Sequence, residues 1–178
     1  MGMSHEAFAF DWHGFEQDEL HDLLAQALAT NDTAALKVYI DANRQFLKDP
    51  NEGEPLENDW LTKLENRDVH EFGDYALTRF YDPADNFGIW DHWKDVDSGL
   101  PDFAKAATLG VSFNRNSNHF NPGRLGSYFQ TPNQVRDTLA LLAQFELPLE
   151  DGQQKSFARF KDGLKGCVSS NLGLYVTF

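Results

Sequence analysis

The apolar period of this chain changes from two to 3.6 and back to two, and that change commits it to a fold in which a sheet packs against helices. Phe8, Phe10 and Trp12 alternate with Ala9 and Asp11, the pattern of a strand with one buried face. From Glu16 onward, Leu20, Leu23, Leu24, Ala27 and Leu28 recur at i, i+3, i+4, i+7 and i+8, one stripe of an amphipathic helix that ends near Thr30. At the far end Leu172, Leu174, Val176 and Phe178 alternate with Gly173, Tyr175 and Thr177. That segment reads as a closing strand inside the sheet.

Between these ends the local signals agree on further elements. Asn31-Asp32-Thr33 offers a cap for a second helix, whose apolar face is Leu36, Tyr39, Ile40, Phe46 and Leu47. An acidic loop from Pro50 to Pro55 closes it, and a short helix follows around Trp60, Leu61 and Leu64. Asp68 and Glu71 have the spacing of a reciprocal cap ahead of Val69, Phe72, Ala76 and Phe80. Asp82 to Pro101 loses its period and reads as a long ordered loop. Leu109 to Phe113 and Gly126 to Gln130 read as strands. Thr131-Pro132-Asn133-Gln134 combines a Thr cap, Pro at the first helical position and a Gln placed to bond back. Its helix buries Val135, Leu139, Leu142 and Phe145, and a last helix on Phe157, Phe160 and Leu164 ends at Gly166. The expectation is one α+β domain over residues 1–178, a small mixed β-sheet packed against several helices.

The Met1-Gly2-Met3 start, the strand leading into a Leu-rich helix, the Thr131-Pro132-Asn133-Gln134-Val135 helix start and the closing strand from Leu172 to Phe178 together resemble the bacterial YfbM-like family. The resemblance covers about the first 30 and the last 50 residues and implies a small cytosolic α+β protein. That family's Lys-Ala-Trp-His text on a central helix has its nearest counterpart here in Trp90-Asp91-His92-Trp93, inside the expected loop.

Charge carries the functional reading. The first hundred residues hold 22 Asp and Glu against 7 Lys and Arg, whereas the remaining 78 hold 6 against 8. A surface field of one sign attracts a partner of the other and speeds its capture. All four tryptophans, Trp12, Trp60, Trp90 and Trp93, fall in the acidic half, and Trp supplies rigid contact area at interfaces. The expected partner is therefore a basic protein, held through Trp90, Asp91, His92, Trp93, Asp95 and Asp97. The fitting role is that of a bacterial toxin-neutralising immunity protein or a related nucleic-acid mimic. The plainer alternative is that the tryptophans fill core and the carboxylates solvate a face.

Asn114 to Arg124 forms a second constellation, a polar turn in which Arg115, His119 and Arg124 would hold an anionic ligand as an enzyme or sensor does. The same Asn, Ser, Pro and Gly residues also make an ordinary turn. Asp82, Asp85, Asp91, His92, Asp95 and Asp97 lack the ligand spacing of a calcium loop and the converging His or Cys of a zinc site, so no metal is expected. His5, His13, His21 and His70 read as surface or helix-cap residues, and Cys167, just past a helix end, as a small packed side chain. A single cysteine excludes an intrachain disulfide and fits a reducing cytosol. The chain lacks an export signal and an apolar run long enough to span a bilayer, so a cytoplasmic protein is expected. Phosphate-loop, dinucleotide, nucleophile-elbow and His-Glu-Xaa2-His motifs are absent, so no cofactor or catalytic residue is called and a non-enzymatic role is expected. A net charge of −13 disfavours direct nucleic-acid binding.

Overall fold

A computed structural model describes residues 3–123 and 126–178. The Met1-Gly2 start and Arg124 lie outside them. Strand β1 (Glu6–Phe10) leads into α1 (Trp12–Gln17), α2 (Glu19–Thr30), α3 (Ala34–Asn43) and, after two 3-10 turns, α4 (Val69–Leu77). Helices α5 (Trp93–Gly99) and α6 (Asp102–Lys105) precede β2 (Val111–Ser112), a small hairpin of β3 (Asn114–Arg115) and β4 (Asn118–His119), and β5 (Ser127–Gln130). Helices α7 (Pro132–Leu142) and α8 (Asp151–Ser169) then deliver the chain to β6 (Gly173–Thr177). The main sheet is antiparallel in the order β1-β6-β5-β2, so the closing strand is central.

Both faces of this sheet are covered. Phe8, Phe10, Phe129 and Tyr175 belong to a core shared with α1 to α4, while Ala7, Leu174 and Val176 belong to a second core shared with Ile89, Val96 and the buried stripes of α7 and α8. Strand β1 therefore has two buried faces where its sequence suggests one. Its large residues point one way and its alanines leave room for α8 on the other. Trp12 belongs to α1 and not to the strand, because the Asp11 side chain accepts the Gly14 N–H and starts a helix there.

Several boundaries follow from capping chemistry. Both bonds of the reciprocal cap at Thr131 and Gln134 are present, at 3.3 and 2.8 Å. Asp68 caps α4 through the Glu71 N–H, but the Glu71 carboxylate turns away to accept three backbone N–H groups, from Glu65, Asn66 and Arg67. Phe46 leaves the apolar face of α3 and is 59% exposed beside the Arg79 guanidinium. Helix α8 passes through Gly166 to Ser169, so Cys167 lies within it, buried. Asn116 and Ser117, both at positive φ, form the two-residue turn of the β3–β4 hairpin.

The outer edge of β1 is covered by a strap from the Asp82–Pro101 segment. Phe87 N–H donates to the Ala7 carbonyl, and Trp90 and His5 exchange backbone hydrogen bonds at 3.0 and 3.3 Å. Covering an edge strand in this way removes a template for pairing with another chain. A Cβ on Gly88 would lie 2.0 Å from the His5 carbonyl oxygen, so the strap can run this close only with glycine there.

Helix α4 is held near α2 by Gly73, where an added Cβ would meet the Phe120 ring at 2.6 Å and a Leu24 methyl at 2.8 Å, both residues being fully buried. Gly73→Ala is expected to destabilise the protein by about 1–3 kcal/mol through overpacking, even though Ala favours a helix by about 1 kcal/mol over Gly. Equilibrium urea unfolding checks this; a variant as stable as the parent would contradict the packing described.

Candidate functional site

The residues expected to form one docking segment divide between two tasks. The Trp93 indole N–H donates to Thr108 Oγ1 at 3.2 Å and the ring packs edge-on against Phe178, so Trp93 ties α5 into the fold. Trp90 is 38% exposed at φ 58°, an uncommon backbone region for a bulky residue, with the Arg159 guanidinium 5.6 Å from its ring. Asp91 and Asp95 are exposed, whereas His92 and Asp97 are half-buried. Of the other tryptophans, Trp60 is buried with its N–H on Asp41, and Trp12 packs among Phe10, Phe15 and Phe129.

His5 is a core residue, contrary to its expected place at the surface. The Ile89 N–H donates to its Nδ1 at 3.1 Å, which puts the proton on Nε2, and Nε2 donates to the Thr108 carbonyl at 2.7 Å. The ring lies parallel to Trp93 and edge-on to Phe160 and Phe178. Burial lowers its pKa to about 4, so it works as a neutral tether between β1, the strap and the turn at Thr108. Cys167 is equally inert: burial pushes its thiol up to about 11.

Of the polar turn's three expected ligand residues, Arg115 and His119 are described and Arg124 lies outside the described residues. Arg115 is exposed on β3, and His119, exposed on β4, lines a hollow of about 250 Å³ together with His70, Ser117 and Asn118. Arg115 does not line it. Asn118 donates to the Leu28 carbonyl at the end of α2, a structural use of a residue type that reads as recognition.

The group prepared for chemistry is Asp74, on α4. It opens into a polar cleft of about 790 Å³ lined by Lys63, Glu65, Asn66, His70, Glu71 and the Asn121–Gly123 turn among others. Tyr175 and Tyr81 donate to its Oδ1 at 3.2 and 3.4 Å. Tyr175 stands on the central strand with its ring 4.9 Å from Phe129 and 5.0 Å from Tyr81, so the aromatic core fixes both phenols. Desolvation, against the opposing pull of these two bonds, raises the Asp74 pKa to about 7, and the charges of Glu6 and Asp49 add to the rise. Burial lifts Glu6 as well. The sequence did carry a signal for this site: Asp74 is the one acid in Phe72-Gly73-Asp74-Tyr75-Ala76-Leu77, whose other members are all buried. Among the described residues, no three His, Cys, Asp or Glu side chains converge as a metal site, and no helix is long and apolar enough to cross a membrane.

No protein-family model matches this chain, and neither a curated protein nor a solved structure is similar to it.

His5 and Asp74 act on stability with opposite signs. His5 takes up its proton more readily when unfolded, so between pH 4 and 6.5 it makes stability rise with pH, by about 3 kcal/mol in all. Asp74 holds its proton more tightly when folded, so from its unfolded value near 3.8 up to about 7 it makes stability fall with pH. Water reaching Asp74 through the cleft reduces that effect to on the order of 2–3 kcal/mol. Asp74→Asn is expected to remove the falling component, so its stability climbs from pH 4 to 6.5 more steeply than the parent's and exceeds it above pH 7. Chemical denaturation across this range checks the sign; parallel profiles would contradict it.

Proposed function

We propose that this chain is a non-enzymatic binding protein of the cytosol whose α1–α4 side captures a basic protein partner, as a toxin-neutralising immunity protein does. The observation that carries the reading is the distribution of charge between the two helical layers. Residues 11–82, which cover one face of the sheet, hold 17 Asp and Glu against 6 Lys and Arg, whereas residues 91–110 and 132–172, on the other face, hold 9 against 7. The lengthwise asymmetry of the sequence is thus an asymmetry between two sides of the molecule.

Part of the acidity is structural. Asp11, Asp18, Asp32, Asp49, Asp68 and Asp82 accept backbone N–H groups at turns and helix starts, as Glu71 does. Lys37, Lys48, Lys63 and Arg79 are paired with carboxylates, which consumes most of the positive charge of that layer. Glu16, Glu19, Glu54, Glu57, Asp59 and Glu65 make no side-chain hydrogen bond or ion pair among the described residues. They supply the unneutralised field that steers a basic partner, and such steering is sensitive to ionic strength. The anion-binding alternative would instead place a negative ligand beside Arg115 and His119, whose strands β3 and β4 pack against α2 on this negative side, an arrangement that like charge opposes.

The variant Glu16→Gln/Glu19→Gln/Glu54→Gln/Glu57→Gln/Asp59→Asn changes none of the bonds described above. It is expected to lose basic proteins that the parent retains from a cell lysate at low ionic strength, with association to the captured protein slowed about tenfold or more. Asp91→Asn/Asp95→Asn is expected to slow it less. Retention of no basic protein, or retention indifferent to both salt and the five-site variant, would contradict the proposal.

A further inference from the structure

We infer that the cleft beside α4 is a binding site for a guanidinium or alkylammonium group, received by the free oxygen of Asp74. Both hydrogen bonds to the Asp74 carboxyl end on Oδ1, from Tyr81 and Tyr175. Among the described residues Oδ2 therefore has no hydrogen-bond partner, and Asp74 is one of the residues that line the cleft. Among the described residues, the Lys or Arg that lines the cleft is Lys63, and it is already paired with Glu52 at 3.3 Å. Asp74 is thus a largely buried carboxyl held by two phenols, and among the described residues it has no counter-charge of its own. A carboxylate in that position is favoured by an incoming cation that restores the interactions lost with water.

The surroundings select the kind of cation. His70 Nδ1 accepts the Asn121 N–H at 3.0 Å, so the ring is the neutral tautomer with its proton on Nε2 and does not oppose a positive ligand. The cleft volume of about 790 Å³ is ample for an organic group carried on a stem. A compact metal ion is disfavoured because no three metal-ligating side chains converge among the described residues. Guanidinium is weakly hydrated and planar, which lowers the cost of moving it into a partly dry site, and its fork of donors suits a carboxylate. Alkylammonium offers the same charge with stronger hydration, so the guanidinium form is expected to bind more tightly. Two sources share this chemistry: a basic side chain of a protein partner and a free cationic metabolite. The inference stands on the cleft and not on the acidic field of the whole layer, so each can fail alone.

The test is a titration at pH 8, where Asp74 is ionised, using capped Gly-Arg-Gly peptide and agmatine as probes and backbone amide chemical shifts as the readout. Saturable shifts centred on residues 66–75 and 121–123 are expected. Affinity should fall at least tenfold in Asp74→Asn, which keeps an oxygen for both phenols, and in Asn66→Trp, which narrows the mouth from its exposed rim without touching the carboxyl. Glu146→Gln, exposed on the other helical layer and not part of the cleft lining, should leave the affinity unchanged. Tighter binding of the peptide assigns the site to a protein side chain, and tighter binding of agmatine assigns it to a small ligand; either supports the site. Non-saturable shifts spread over the acidic layer, or equal affinity in a folded Asp74→Asn variant, would overturn it while leaving salt-dependent capture of a basic protein intact.

Discussion

The burial of the central strand on both faces is the constraint from which the rest of the molecule follows. Gly173, Leu174, Tyr175 and Val176 are all buried, so β6 needs a hydrophobic layer above and below, and a chain of this length can supply one from each half. The N-terminal half wraps one face as α1 to α4, and α5 to α8 cover the other. Tyr175 turns this packing into chemistry. Its ring is clamped by Phe129 and Tyr81 while its hydroxyl reaches Asp74. The position of Asp74, whose pKa burial raises to about 7, is thereby set from the middle of the sheet.

Much of the architecture is legible in the sequence because hydrophobic period and capping chemistry are local. The closing strand, the leucine stripe of α2 and the Thr131–Gln134 cap are read directly from side-chain spacing. The misreadings come from contacts between distant segments. Phe46 fits an apolar stripe but meets Arg79 in solvent, and Gly166 looks like a helix stop although nothing crowds it and α8 continues past it. His5 looks like a terminal surface residue, yet its two partners lie at Ile89 and Thr108, more than eighty residues away. No local pattern encodes such a bond.

The site is less legible for the same reason. Asp74 becomes unusual only when the fold buries it beneath Tyr81 and Tyr175, and the acidic composition that dominates the sequence hides which carboxylates are already employed. Many of them terminate turns and start helices, where the positive end of the helix dipole and free N–H groups favour an acid. The tryptophans divide in the same way, with Trp60 and Trp93 given to packing and Trp90 left partly open. Composition alone therefore overstates the surface available to a partner, and the fold corrects it by showing which acids are already bonded among the described residues.

That one-sidedness is the centre of the account, and it can be measured without knowing any partner. Paramagnetic relaxation of each backbone amide by a cationic and by a neutral nitroxide, compared at low ionic strength, reports the near-surface potential residue by residue. The account predicts that the cationic probe is strongly concentrated over residues 11–82 and close to indifferent over α7 and α8. An even enhancement on both sides of the sheet would show that the acidity is a general solubilising coat, and would contradict it.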